Sequence, residues 1–249
     1  GAGPPGRWRN KGAAMNAAAC GAWRMGRLAA AGLAALALSA CGSSRVDGVS
    51  VTWPPFKEGT LASLPADPAQ CPDLSGAYQA QGKYVSGDHG GAELKDLRNF
   101  LKYPLDLPGM RDTSLPEWRS GPEATVAFKP VADGWEVQAL DGQGARAAGH
   151  LVQLNGAQDP AALPGAARPS VPDGIRRASG CTQGRLWISV RHDWRQYESM
   201  GVRRHVALLR PEAGGLLVTV QRESDTIGLL PWYSNDSSVF QYWFAPAGR

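Results

Sequence analysis

The hydrophobic positions of this chain fall into two patterns: one continuous apolar run, Leu28 to Leu38, and beyond residue 125 a repeated alternation of apolar and polar positions. A period of two puts every second side chain on one face of an extended strand, so the alternation predicts half-buried β-strands. Val126 and Phe128 share a face, and Trp135, Val137 and Ala139 share the next after the turn Ala132-Asp133-Gly134. A second turn at Asp141 to Gly144 leads into Ala145 to Leu154, which completes an antiparallel meander. Alternation resumes at Leu186, Ile188 and Val190, continues at Val206 and Leu208, and after the turn Glu212 to Gly215 runs through Leu216, Val218 and Val220. Phe240, Tyr242 and Phe244 end the series, facing away from Val239, Gln241 and Trp243, so this strand is expected to have cover on both sides.

Ahead of the meander, Leu74 to Ala80 predicts a first strand and Gly82 to Gly91 a loop. Between Ala92 and Lys102 the apolar positions 94, 97, 100 and 101 make one helical stripe, with Gly90 and Glu93 as an N-terminal signal and Pro104 and Pro108 as stops. Asn155 to Gly180 has four prolines and no periodicity, which predicts a long disordered loop. The total is about eight strands and one short helix. The expected fold class is mainly β, an antiparallel meander forming a curled sheet or small barrel, with a two-sheet β-sandwich as the alternative.

The run Leu28 to Leu38 follows Arg24 and Arg27 and precedes the small residues Ser39 and Ala40. A basic flank, a short apolar core and small residues make a secretory signal. Leu28 to Ala40 is well short of the roughly 20 residues that a membrane-spanning helix needs. Residues 1–40 are therefore read as upstream sequence plus a cleaved leader, with translation starting at Met15 or Met25. Gly42 to Gln70, rich in serine and proline, is read with Cys41 as a tether (41–70), and 71–249 as a single β-rich domain.

This reading changes the charge picture. The chain has 26 basic and 22 acidic residues and a sequence pI near 9.0, but five of the basic residues lie in the leader, which has no acid. Removing those five leaves 21 basic against 22 acidic residues, so the working protein is near neutral and nucleic acid is not an expected partner.

Leu38-Ser39-Ala40-Cys41 resembles the bacterial lipobox. That resemblance implies that the Cys41 thiol receives a diacylglycerol, that the peptide bond before it is cut, and that the new amino terminus is acylated, including by palmitate. Buried acyl methylenes, at ~0.8 kcal/mol each, then hold the protein on a membrane without a spanning segment. Gly42, where an aspartate favours inner-membrane retention in such proteins, points to the outer membrane, facing the periplasm. Cys20 leaves with the leader and Cys41 carries lipid, so Cys71 and Cys181 remain. In an oxidising compartment they are candidates for one disulfide, the alternatives being two free thiols or a metal site, for which clustered histidines are missing.

The lipobox, the short tether, Cys71-Pro-Asp-Leu-Ser-Gly-Ala-Tyr78 and the later Cys181-Thr-Gln-Gly-Arg-Leu-Trp187 together resemble a loose group of uncharacterised proteobacterial lipoproteins. The resemblance covers most of the mature chain and implies a periplasmic β-meander, with no activity attached.

Candidate chemistry is sparse. His89, His150, His192 and His205 show no His-x-His or His-Glu-x-x-His spacing, so no metal ligands are assigned. No Gly-x-Ser-x-Gly elbow is present, and no catalytic residue or cofactor is assigned. His192 and Asp193, as strand neighbours, are expected to face opposite ways, and in Arg203-Arg204-His205 the middle residue is expected to oppose its neighbours. Ser86 to Gly91 is a candidate anion nest, and Asp193, Glu198, Glu223 and Asp225 are candidate paired carboxylates. Trp232, Tyr233, Phe240, Tyr242, Trp243 and Phe244 are read as core, or as the lining of an apolar cavity or docking site. The expected function is that of a non-catalytic, lipid-anchored envelope lipoprotein binding a partner protein or a small apolar ligand in the periplasm. The alternatives are a structural subunit of an envelope assembly and a carboxylate-dependent envelope hydrolase.

Overall fold

The computed structural model describes residues 42–54, 59–88, 94–107, 109–110, 121–141, 146–152, 174–228 and 232–248. Alternation becomes strand as expected, with twelve strands among the described residues where the sequence suggests about eight. β1 (Gly42–Val46) and β2 (Val49–Trp53) form a hairpin. β3 (Gly76–Gln79), β5 (Thr125–Val131), β6 (Gly134–Leu140) and β7 (Arg146–Val152) form a four-stranded sheet in the order β3-β5-β6-β7. β4 (Lys83–Gly87), β8 (Ile175–Thr182), β9 (Arg185–Gln196), β10 (Ser199–Glu212), β11 (Gly215–Ile227) and β12 (Tyr233–Phe244) form a six-stranded sheet in the order β4-β12-β11-β10-β9-β8. All pairings are antiparallel, and neither sheet closes into a barrel.

The two sheets share one core. Tyr78, Val126, Phe128, Val137 and Ala139 from the smaller sheet meet Leu186, Ile188, Val190, Leu216, Val218, Phe240 and Phe244 from the larger. The helix α1 (Leu97–Lys102) adds Leu97, Phe100 and Leu101, all fully buried. It is shorter than the sequence predicts and starts later, because Asp96 rather than Gly90 caps it. The Asp96 carboxylate accepts the Arg98 backbone N–H at 2.9 Å and also pairs with the buried Arg98 guanidinium at 2.6 Å. Pro104 follows the last turn, as expected.

Four expectations need correction. In the expected tether 41–70, residues 42–53 are the hairpin of β1 and β2, which lies on the outer face of the larger sheet, while 41 and 55–58 lie outside the described residues. Val46, Val49, Val51 and Trp53 pack there on Ala178, Trp187, Val206 and Leu208. Leu186/Trp187 and Val206/Ala207 thus bury both strand faces, and the two-sided cover expected for β12 belongs instead to β8–β11, where the hairpin sits. Residues 83–87, expected as loop, are the edge strand β4, paired with β12 through its backbone while its side chains stay exposed. In the expected loop 155–180, residues 175–180 belong to β8, and the stretch 155–173 lies outside the described residues. β8 is buried on both sides by small and polar residues, Ala178, Ser179, Gly180 and Cys181, which carry no hydrophobic period.

Cys71 and Cys181 form a disulfide with Cα atoms 4.8 Å apart. It joins the segment before β3 to the end of β8 across 110 positions, beside the Asp67 N–H donating to the Cys181 carbonyl at 2.7 Å. Cys41 lies outside the described residues.

Candidate functional site

Strand length creates a cleft at one end of the larger sheet. β10, β11 and β12 run 14, 13 and 12 residues, whereas no strand of the facing sheet exceeds 7. At ~3.3 Å per residue the longer strands project about 20 Å past the cover the smaller sheet supplies. On their inner faces the apolar positions give way to polar ones where that cover ends: Leu216, Val218 and Val220 are followed by Arg222 and Ser224, and Ala207 and Leu209 are preceded by His205 and Arg203.

Register sets these residues side by side. His192, Arg203, Ser224 and Asp236 occupy one row across β9 to β12, and Val190, His205, Arg222 and Ser238 the next. Directly opposed residues have Cβ atoms about 5 Å apart. Ile175 and the segment Tyr103 to Asp106 after α1 complete the walls of a cleft of about 490 Å³. The Arg222 guanidinium lies 5.5 Å from the Phe240 ring centroid, and that of Arg203 lies 6.0 Å from the Trp194 ring. These contacts place both guanidinium groups against aromatic rings.

His205 sits among these charges. Burial first, then the neighbouring Arg222, Arg203 and His192, pull its pKa down to about 3. The imidazole is therefore neutral at physiological pH, with hydrogen-bonding capacity and no charge of its own. The hydroxyl of Ser238, opposite Arg222, is buried and without a hydrogen-bond partner. Arg203, Arg222, His192 and His205 share this lining with Asp106 and Asp236, a surface of mixed charge whose guanidinium donors suit an anionic group.

The opposite face of the same strands carries a separate network. Arg204 donates to Asp225 at 2.5 Å, approaches Glu223 at 3.2 Å and donates to the Pro54 carbonyl at 2.6 Å, with its guanidinium 5.8 Å from the Trp53 ring. Asp225 also accepts from the Tyr233 hydroxyl at 2.6 Å and the Asn235 amide at 2.7 Å. The Tyr233 phenol is pushed up by its bond to Asp225, and the Glu223 carboxyl is pushed up by burial, with Arg204 opposing.

His192 and Asp193 do face opposite ways: His192 lines the cleft, and Asp193 pairs with Arg191 at 2.9 Å. Arg204 likewise opposes Arg203 and His205. Of the four candidate carboxylates, Glu223 and Asp225 meet around Arg204, Asp193 is held by Arg191, and Glu198 lies exposed at the β9–β10 turn. In the candidate nest, the Ser86 hydroxyl donates to Gln241 at 3.0 Å and the Asp88 carboxylate accepts the Val239 N–H at 2.8 Å, while 89–91 lie outside the described residues. His89 and the His150 side chain also lie outside them, and among the described residues no three His, Cys, Asp or Glu side chains gather as metal ligands. Phe240 and Phe244 are core, Tyr242 packs partly against it, Trp243 donates to the Glu212 carbonyl, and Trp232 and Tyr233 are exposed. Arg222, Ser224, Asp106 and Asp236 are cleft residues that sequence reasoning missed; the signal for Arg222 is a cation continuing the inner-face period of Leu216, Val218 and Val220.

No known protein-family model, no curated protein and no solved structure matches the chain.

Proposed function

We infer that this chain is a non-catalytic, lipid-anchored envelope protein of the periplasmic space, attached through Cys41, whose β-domain binds a small ligand in the cleft beyond the smaller sheet. The carrying observation is the convergence of His192, Arg203, His205 and Arg222 on one cleft, next to the apolar side chains of Val190 and Ile175. Such a lining suits a ligand with an anionic head and an apolar body, a narrower class than the small apolar ligand expected from sequence. The Cys71–Cys181 disulfide supports the oxidising compartment.

Calorimetric titration of the purified chain with decanoate and with decanol tests the binding class. Decanoate binding that Arg222→Ala weakens about tenfold is the expected outcome, a loss of the size a charge-assisted hydrogen bond supplies. Equal affinity for the alcohol, or no binding of either, sinks the reading.

A further inference from the structure

We propose that the end of the larger sheet formed by the β9–β10 turn and the start of β12 docks on the lipid bilayer surface, so that the cleft opens beside the membrane. The proposal rests on the lipid anchor at Cys41.

Two observations meet at this end. The first is where the chain enters the fold. At the β1–β2 turn the Asp47 carboxylate accepts from Arg185 at 2.7 Å and Arg210 at 2.9 Å, level with the far end of β10. Three residues earlier, the Ser44 hydroxyl donates to Gln221 at 2.7 Å. Traced backward, β1 therefore runs along β11 toward Ile227, and Gly42, paired with Trp53, comes level with Glu223, next to the Arg204 guanidinium. From Glu223 to the last β11 residue, Ile227, is four residues, about 13 Å. Gly42, the residue that follows Cys41 in the sequence, therefore lies within about that distance of the sheet end.

The second observation is what that end exposes. Tyr197 is 91% exposed, Tyr233 62%, Trp232 48% and Met200 47%, in a fold whose other large apolar side chains are mostly buried. Trp194 and Trp232 line one shallow pocket with Tyr197, Glu198, Ser199 and Thr226. Both indoles lie over glycines: a Cβ on Gly201 would meet the Trp194 ring at 2.5 Å, and one on Gly228 would collide with the Trp232 ring. The Trp194 indole N–H is buried with no hydrogen-bond partner. Tyrosine and tryptophan with arginine beside them, here Arg195 and Arg203, are the side chains that sit at the headgroup level, where one end of the ring meets lipid and the other meets water. Arg195 and Arg203 are both exposed and supply charge complementary to anionic headgroups. On the inner faces of β9 and β11, Trp194 and Thr226 follow His192 and Ser224, so the aromatic end continues the wall of the cleft.

The full chain, produced in a host that acylates lipoproteins, is reconstituted into phosphatidylethanolamine–phosphatidylglycerol vesicles whose acyl chains are brominated. Bromine is expected to quench tryptophan fluorescence, with a smaller quenched fraction in Trp232→Phe and in Trp194→Phe. Palmitate labelling with a quenched fraction unchanged in both variants overturns the docking while leaving the anchor intact. The Cys41→Ser chain separates the reverse case. Its flotation with the same vesicles is expected to persist at lower affinity and to weaken about tenfold more in Tyr197→Ser/Trp232→Ser, two exposed positions that folding does not need. Absent palmitate label with such flotation removes the anchor alone, and flotation insensitive to the two substitutions, or absent, overturns the docking.

Discussion

Arg204 grips Asp225 at 2.5 Å with both side chains almost completely buried, while its neighbours Arg203 and His205 point into the cleft on the other side of the sheet. One strand therefore carries a closed ionic network on one face and part of the lining of an open cleft on the other. Asp225→Asn keeps the shape and removes the charge that Arg204, Tyr233 and Asn235 share. Because breaking one partner of a buried pair leaves the other uncompensated, the substitution is expected to cost about 3 kcal/mol, read from urea unfolding. A change within ~0.5 kcal/mol would mean that Glu223 and Pro54 satisfy Arg204 without it.

His205 makes stability depend on pH. Its folded-state pKa of about 3 lies below the ordinary histidine value of 6.5, so between these values the unfolded chain binds the proton and the folded chain does not. The contribution is fully present above pH 6.5 and is lost as the pH falls toward 3, on the order of 2 kcal/mol by pH 4.5. Thermal unfolding measured across this range should show a shallower acid slope in His205→Gln than in the parent chain.

A bound anion beside His205 favours its protonated form, but an imidazole whose pKa starts at about 3 stays neutral above pH 6.5 even with an anion beside it. Decanoate affinity is therefore expected to stay flat between pH 7.5 and 6.5, above the carboxylate's own titration. An affinity that rises across that window in the parent chain and not in His205→Gln would show that the imidazole is not held neutral.

The disulfide spans 110 positions and links the entry of β3 to β8. Cys71→Ser/Cys181→Ser is expected to lose about 2–5 kcal/mol relative to the parent chain, and the parent should fall to the same value under reductant. Parallel unfolding curves with and without dithiothreitol give the comparison.

Trp53 anchors the hairpin through its buried ring, its bond to the Ser44 hydroxyl at 2.9 Å and its contact with Arg204. Trp53→Ala is expected to cost about 3 kcal/mol and to release residues 42–54 to limited proteolysis before the rest of the fold opens. Cleavage there at equal rates in both proteins would restore the tether reading.

Period-two alternation made β5, β6, β9, β10 and β11 legible, because their inner faces are apolar and their turns carry glycine. β4 escaped because its side chains are all exposed and its pairing with β12 is a matter of backbone alone. β8 escaped because its buried positions are filled by Ala, Ser, Gly and Cys, and by Arg177, which donates to the Asp106 carbonyl. The hairpin showed its alternation at Val49, Val51 and Trp53, but nothing local reveals the second face on which those side chains land, since Trp187, Val206 and Leu208 lie more than 130 positions away. The same holds for the cleft: His192, Arg203 and His205 stand out in sequence, yet only the cross-strand register brings Arg222 and Ser224 beside them.

The pairing of Gly42 with Trp53 has a mechanical corollary. A single peptide bond separates residue 41 from the first hydrogen-bonded rung, so the molecule has no leash there. A flexible linker over 41–70 would let the domain roam a radius of about 30 Å. Without that slack, whatever is joined at position 41 stays within a few ångströms of the outer hairpin, and the domain can turn about that point but cannot drift away from it.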